Sequence, residues 1–427
     1  MNTDSCPTGS GDANRDAQSQ RGAARSQHQT LQTRTRFVAG CMTGTSIDGI
    51  DVAVVRITGT GLSMSAQLLA GVSMELDGPF GDLSQPLRDI AGQRPVTAGF
   101  IADVSRRFSL LHAHAAQAAA RKAGVQLDLV VLHGQTVWHR PPVSWQLCSP
   151  AVVAHELNIL VVGDLRAADL AAGGQGAPIT PLADWILFGR DEVRSGQTGE
   201  CTAIVNLGGF ANYTMLRSGL GPEHICAGDI CVCNQLLDTI ARATLGQPFD
   251  ENGAAALRGA PNAVARADLA ALCDSQSLAG RSLGTGDEVQ LWLETWSARL
   301  GGPDLCASAC AAIGSTIGRT LVRAAGTHKL ARTIAFGGGA KNLAVLRQVG
   351  AAIDATVGRT SDHQPAAEVQ LGETMGIGIH EREAACMAVL GALSQDGVAI
   401  TLPQVTKLPP GIAPPVAGVW CGVNLNR

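Results

Sequence analysis

Apolar residues in this chain fall first into short β-branched runs and only later into helical spacing. Phe37–Met42 predicts a strand that runs into a Thr/Gly/Ser/Asp turn, and Ile50–Ile57 predicts a second strand. Thr58-Gly59-Thr60-Gly61 turns the chain again, and Leu62–Leu76 can supply a third strand, so the region opens as an antiparallel meander. Between Thr97 and Gly124, Ile101, Val104, Phe108 and Leu111 recur on one helix face. Leu127–Leu132 and Asn158–Gly163 read as buried strands, the first ending at His133-Gly134-Gln135-Thr136 and the second at Asp164.

The pattern then restarts. Cys201–Asn206 is a strand, Leu207-Gly208-Gly209 a turn and Phe210–Leu216 the returning strand. Helices are expected at Asn234–Thr244 and Asp287–Ala325. Leu330–Phe336 reads as a buried strand ending in Gly337-Gly338-Gly339, followed by a helix at Ala340–Ala351 and a late helix at Glu381–Leu393. Pro403, Pro409, Pro410, Pro414 and Pro415 predict an irregular end. Strands alternating with helices indicate an α/β class, and the repeated opening predicts two similar domains facing one cleft.

Composition narrows the partners. The 427 residues are 45% hydrophobic and 16% charged, enough apolar material for two cores. Fifty-one glycines suit tight turns and close helix–sheet packing. The 32 basic and 36 acidic residues are well mixed, so neither nucleic acid nor an acidic membrane is indicated. No run of about 18 apolar residues predicts a membrane span. Twelve cysteines scattered along a long apolar chain read as reduced and packed, in a cytoplasmic protein. Residues 1–36 hold almost no bulky apolar side chain and no apolar signal core, and Asp4, Asp12 and Asp16 argue against a transit peptide. A disordered extension is expected there.

The chain has no GxxxxGK[ST], GxGxxG, HExxH or GxSxG motif. A phosphate would therefore be cradled by the backbone N–H groups and hydroxyls of hairpin turns. Thr43-Gly44-Thr45-Ser46-Ile47-Asp48-Gly49 has that chemistry: Gly44 permits close approach, Thr45 and Ser46 offer donors, and Asp48 can hold Mg²⁺ through water. An ordinary hairpin turn uses the same residues. His133, Gln135 and Trp138 follow the C-terminal end of a strand, where α/β sheets bind ligands. Asp164 with Arg166 could hold a hydroxylated substrate or form a structural ion pair. His224, Cys226, Cys231 and Cys233 suit zinc by type but not by spacing, and packed thiols are expected instead.

Further segments follow in order: Gly163-Asp164-Leu165-Arg166, Gly173-Gly174-Gln175-Gly176-Ala177-Pro178, Asn206-Leu207-Gly208-Gly209-Phe210-Ala211-Asn212, Phe249-Asp250 with Gly253, and Gly337-Gly338-Gly339-Ala340-Lys341-Asn342. With Gly40–Asp51 and His133–His139, they make the chain from Phe37 onward resemble the anhydro-N-acetylmuramic acid kinases. The resemblance implies the actin/Hsp70/sugar-kinase (ribonuclease-H-like) fold, with 37–163 plus 380–427 as one domain, 164–379 as the other, and a central nucleotide cleft. It implies ATP and Mg²⁺, the metal arriving with ATP and touching no protein ligand set beyond Asp48. Gly44, Thr45, Ser46, Asp48, Gly208, Gly209, Gly337, Gly338, Gly339 and Asn342 would grip the nucleotide. His133, Gln135, Trp138, Asp164, Arg166, Gln175 and Glu383 would face the amino sugar, and Asp229 would be the base that activates water. A homodimer is left open.

Two stretches depart from the family. Its Phe-Asp-Thr/Cys-Gly-Pro-Gly-Asn segment is Gly228-Asp229-Ile230-Cys231-Val232-Cys233-Asn234 here, and its Lys-Ser-Thr-Gly-Arg is Arg281-Ser282-Leu283-Gly284. The first removes glycine freedom beside Asp229, so a same-fold kinase for another sugar and a nucleotide-binding pseudoenzyme stand as alternatives.

Overall fold

Three strands run antiparallel at the start of the chain, β1 (Thr35–Met42), β2 (Gly49–Thr58) and β3 (Ser65–Glu75). The computed structural model describes residues 34–44, 46–189, 199–279, 287–358 and 369–422. Most of the 1–36 extension, Thr45 and the Arg281–Gly284 stretch lie outside the described residues. β4 (Leu129–Leu132) and β7 (Leu160–Gly163) then lie parallel to β1, and the sheet reads β7-β4-β1-β2-β3 with β13 (Val419–Cys421) antiparallel on its edge. Between them, β5 (Gln135–Arg140) and β6 (Val143–Leu147) form a separate hairpin that the sequence pattern did not predict.

The second sheet repeats the first. β8 (Glu200–Leu207), β9 (Phe210–Arg217) and β10 (Cys226–Val232) are antiparallel, β11 (Lys329–Phe336) and β12 (Val369–Leu371) follow parallel to β8, and the order is β10-β9-β8-β11-β12. Two sheets with one topology make this the expected α/β actin/Hsp70/sugar-kinase-like arrangement. The order and direction of the strands carry the assignment.

Both faces of the first sheet are covered, which is why its central strands read as continuous apolar runs. Val38, Ala53, Val55, Leu129 and Val131 pack with the helix Glu381–Gln395, while Ala39, Cys41, Val52, Val54, Val130 and Leu132 pack with Val104, Phe108 and Leu111 of the helix Ala98–Ala123. The first of these helices lies so close that a Cβ at Gly40 would sit 2.0 Å from the Ala384 carbonyl oxygen. Its far end is tied down by Arg36, which donates to both oxygens of Asp396 at 2.7 and 2.8 Å. Arg36 is 2% exposed, so ordered chain begins before Phe37, the expected boundary.

Three element boundaries differ from the sequence reading. Gly301-Gly302-Pro303 splits the expected Asp287–Ala325 helix into Asp287–Ser297 and Gly302–Ala325, with Pro303 in the first turn where its missing N–H costs no bond. A 3-10 turn at Gly338–Lys341 delays the next helix to Leu343–Thr356. The Pro-rich end is not wholly irregular, since it holds a turn of helix at Pro403–Thr406 and the edge strand β13. Gly302–Ala325 is the one helix among the described residues long and apolar enough to cross a membrane, and 83% of that window is buried inside the protein. It is the core helix of the second sheet, carrying Leu305, Ala309, Ile313 and Leu321 into the interior.

Candidate active site

The turn after β1 is strained. Ile47 has φ of 53°, a region that β-branched side chains rarely occupy. Burial of its side chain holds it there, and Arg88 donates to its carbonyl at 3.2 Å. Its own N–H closes the turn on Gly44 at 3.3 Å. Ser46 and Asp48 are exposed at the tip. Thr43 Oγ1, by contrast, is buried with no hydrogen-bond partner among the described residues.

The two other glycine turns pack on each other. The carbonyl of Gly208 accepts from Asn234 N–H at 3.0 Å, and that of Gly209 from Cys233 and Gln235 N–H at 2.9 and 3.2 Å. These bonds seat the helix Asn234–Leu245 on the turn. Asn234 Nδ2 donates to Leu207 O at 3.0 Å. A Cβ on Gly337 would lie 2.8 Å from that same oxygen and 2.6 Å from Asn206 Oδ1, and one on Gly339 would lie 2.7 Å from Asn234 Oδ1. Gly337 also has φ of 82°. Gly338 joins them in the turn. Asn342 also caps the next helix, its Oδ1 accepting from Ala344 and Val345 N–H at 3.1 and 3.2 Å. Gly253 leaves room for that cap, because a Cβ there would lie 2.3 Å from Asn342 Oδ1.

Carboxylates from both halves approach one another. Asp238, one turn into the helix behind the Gly208-Gly209 turn, has its carboxyl pushed up to about 6 by burial, with Arg242 opposing and Asp48 adding to the rise. Asp51 is likewise raised, first by burial, while Ser73 and His380 lower it and Asp48 and Glu381 raise it. No cluster of three or more His, Cys, Asp or Glu among the described residues is arranged to hold a metal ion by itself.

The expected sugar residues gather at the carboxyl ends of β4 and β7. His133 is 5% exposed. Its Nδ1 lies 2.8 Å from Gly134 O and its Nε2 accepts from Arg166 at 2.8 and 3.1 Å. The proton therefore sits on Nδ1, and burial followed by the Arg166 charge pushes the imidazole down to about 3. Arg166 also donates to Gly176 O at 2.6 Å. Burial lowers its guanidinium to about 10, while Glu383 and Asp229 both act on it in the opposite direction. Arg166 thus stands within electrostatic reach of a carboxylate from each side of the cleft.

Gln135 is 1% exposed and its Oε1 has no partner among the described residues. Trp138 faces Trp145 across the β5–β6 hairpin, and both are exposed. Asp164 does not pair with Arg166; it adopts φ of 53° and meets the Ala167 N–H instead. Gln175 N–H donates to Thr406 O at 2.8 Å. Its loop is organised by Asp169, which the sequence reading missed: one oxygen accepts from Gly176 N–H at 2.7 Å and the other from Thr406 Oγ1 at 2.8 Å. The signal for Asp169 was weak, a lone acid in an alanine-rich stretch.

Asp229 lies in a strand, β10, which the sequence pattern did not predict. It pairs with Asn212, which pairs in turn with Asn206, so Asn206, Asn212 and Asp229 form a polar row across three strands. A bulge follows Asp229, ending the regular ladder at the place a side chain must be re-aimed. Cys231 and Cys233 are fully buried in the second core, and neither needs positive φ. Val232 N–H is held by Gln276 at 3.0 Å. His224 stays outside, exposed beside Glu223, so it does not join the buried thiols.

His112, His133 and His139 lie near one another and all titrate far below 6.5, at about 4, 3 and 4, each chiefly through burial. Their folded forms are neutral while the unfolded chain takes up protons below pH 6.5. Stability is therefore full above that pH and is lost as pH falls toward 4. His112→Leu should fall less steeply, by about 1.4 kcal/mol per pH unit, in denaturant titrations between pH 6 and pH 4.5.

The profile described as anhydro-N-acetylmuramic acid kinase matches residues 36–409. A curated anhydro-N-acetylmuramic acid kinase of Gloeobacter violaceus is 37% identical over 232 residues, covering 52% of this chain and 59% of that protein. One of Bacillus cereus is 32% identical over 234 residues, covering 52% and 58%. The chain thus spans somewhat over half the length of the curated relatives it matches. Among solved structures, a ROK family glucokinase from Streptomyces griseus, in complex with glucose and AMPPNP, overlaps with a TM-score of 0.37 at 14% identity, over 83% of this chain and 98% of that one. The Acidaminococcus fermentans (R)-2-hydroxyglutaryl-CoA dehydratase component A overlaps at 0.41 and 10%, over 84% and 99%. Those overlaps are too loose to bear on function, but a profile matched from residue 36 to residue 409 is decisive: the chain belongs to the anhydro-N-acetylmuramic acid kinase family.

Proposed function

We propose that the protein converts 1,6-anhydro-N-acetylmuramic acid, ATP and water to N-acetylmuramic acid 6-phosphate and ADP, as a cytoplasmic step in peptidoglycan recycling. The observation that carries the reading is the buried contact of Arg166 with neutral His133 at the carboxyl ends of β4 and β7, with Asp229 of the second sheet and Glu383 of the helix packed on the first both acting on the Arg166 charge. Two lobes, 37–163 with 380–427 and 164–379, would present these groups to one cleft.

In this reading Asp229 takes a proton from water as the water oxygen bonds to the anomeric carbon. The bond from that carbon to O6 breaks, and O6 attacks the γ-phosphorus while the bridging oxygen leaves with ADP. Arg166 and Glu383 orient the sugar, and His133, kept neutral, offers hydrogen bonding without a second positive charge. Gln135 Oε1 and Thr43 Oγ1, buried and without partners among the described residues, are the kind of groups that ligand hydroxyls or phosphate satisfy. The Gly44–Asp48, Gly208-Gly209 and Gly337–Gly339 turns with Asn342 would grip the nucleotide through backbone N–H groups. Asp48, with Asp238 near it, would hold Mg²⁺ through water, and the ion would neutralise charge on the phosphates. Cys231 and Cys233 are buried in the second core, and Cys233 holds φ of −135° and ψ of −105°, outside the usual α and β regions, so the pseudoenzyme stands as the alternative reading.

Purified protein supplied with ATP and Mg²⁺ should release ADP only when anhydro-N-acetylmuramic acid is added. ADP release with glucose but not with this sugar would move the assignment to another acceptor. Nucleotide binding with no turnover on any sugar would favour the pseudoenzyme.

A further inference from the structure

A cation in the first turn of a helix opposes the helix dipole, yet Arg382 occupies that place between Glu381 and Glu383. Its reason lies in Asp184, at the end of the short helix Pro181–Asp184, and in the second sheet beyond it. Arg382 is 1% exposed and Asp184 is completely buried. Arg382 Nε donates to Asp184 Oδ1 at 2.8 Å, and its Nη2 donates to Asp184 Oδ2. Nη2 also reaches Thr180 Oγ1 at 3.3 Å. Asp184 accepts a further bond from Thr214 Oγ1 on β9, at 2.7 Å, and one from Cys386 Sγ at 3.5 Å. The guanidinium stacks 5.5 Å from the ring centroid of Phe336, the last residue of β11 before the Gly337 turn. Burial alone would lower the Arg382 pKa, but Asp184 more than reverses this and keeps the side chain charged.

The start of this helix is thus fixed to the second sheet at two levels. Arg382 meets Phe336 directly and Thr214 through Asp184, and three residues earlier Ile379 O accepts from Gly337 N–H at 2.9 Å. The rest of the helix lies on the first sheet, against Gly40 and its neighbours. The residue after Arg382 is Glu383.

We infer that the buried Asp184–Arg382 pair is a positioning device that sets Glu383, on the sugar side, against the Gly337–Gly339 turn on the nucleotide side. The inference rests on the kinase reading of the site. Arg382 touches neither reactant; it acts through Glu383 and Phe336. A forked, bidentate guanidinium fixes distance and angle together, which a lysine ammonium cannot do.

The test compares wild type with Arg382→Met and Arg382→Lys. Removing the charge strands buried Asp184, so Arg382→Met is expected to melt earlier, whereas Arg382→Lys keeps the charge and the fold. Among folded molecules, Arg382→Lys should lose kcat by about a hundredfold, the cost of roughly ångström misplacement, with KM for ATP unchanged. Arg382→Met should lose more. A purely stabilising pair would leave kcat per folded enzyme at the wild-type value in both, and that result overturns the inference. Amide exchange with ATP bound supplies a readout that needs no turnover: exchange should quicken selectively at Gly337–Gly339 and at the start of the Glu381–Gln395 helix. A uniform rise across the protein, or none, also overturns it. If wild type releases no ADP with the anhydro-sugar, the kinase reading fails by itself, and the exchange pattern still decides the pair.

Discussion

Asp229→Asn is expected to lower kcat by about 10²- to 10⁴-fold, the range a general base supplies, while nucleotide affinity stays at its wild-type value. The substitution keeps shape and removes only the ability to take a proton. Asp229 sits at the end of the Asn206–Asn212–Asp229 row, before the bulge, so an amide can occupy the same place in the strand. It is also one of the two carboxylates acting on Arg166, and losing it should shift the guanidinium toward Glu383 and raise KM for the sugar as well. Steady-state ADP release and calorimetric titration with a non-hydrolysable ATP analogue separate the two effects. Retained turnover in Asp229→Asn would move the base elsewhere in the site, with Glu383 the next carboxylate to examine.

Gly337→Ala is expected to destabilise the protein by about 2–5 kcal/mol, the sum of a left-handed backbone penalty and overpacking. The backbone there has φ of 82°, and the added Cβ would press on Asn206 Oδ1 and Leu207 O. Gly124→Ala is a milder comparison, for Gly124 has φ of 67° and ψ of 33° with nothing within 4 Å of an added Cβ, whereas Gly337 has ψ of 165°, a region open to glycine alone. The difference between the two unfolding free energies in urea measures the packing of the glycine turns together with the harsher backbone penalty at Gly337. Equal losses would show that the turns have room to separate. Because the same atoms shape the proposed nucleotide grip, Gly337→Ala should also weaken ATP binding, and Gly124→Ala should not.

The central strands were legible because covered sheets demand apolar runs, and Phe37–Met42, Ile50–Ile57 and Leu330–Phe336 all carry that mark, the second of them rich in β-branched residues. Glycine turns were legible for the same physical reason that they matter: Gly337 stands where no side chain fits. The β5–β6 hairpin was hidden, because Trp138 and Trp145 face outward and leave no alternation that points to a core. β10 was hidden too, since Gly228, Asp229 and Cys231 have little strand propensity and the strand is fixed by its partner β9. Asp184, Asp169 and Arg382 could not be found by any local pattern. Their partners lie far along the chain, and Arg382 contradicts the charge preference of its own helix turn.

The position of the Glu381–Gln395 helix in the chain also has a consequence for synthesis. All strands of the first sheet up to β7 have been made by Gly163, but the helix that seals one face begins at Glu381 and the edge strand β13 at Val419. At about 5–20 residues per second, that helix follows β7 by roughly ten seconds or more, while Leu165, Ile179, Leu182 and Ile186 can already cover part of the face. The second sheet, whose helices and strands are nearly contiguous, can form within that interval. The first sheet is therefore the last to be completed, and Val38, Val55 and Val131 gain their contacts with the Glu381–Gln395 helix only after the second sheet has been made.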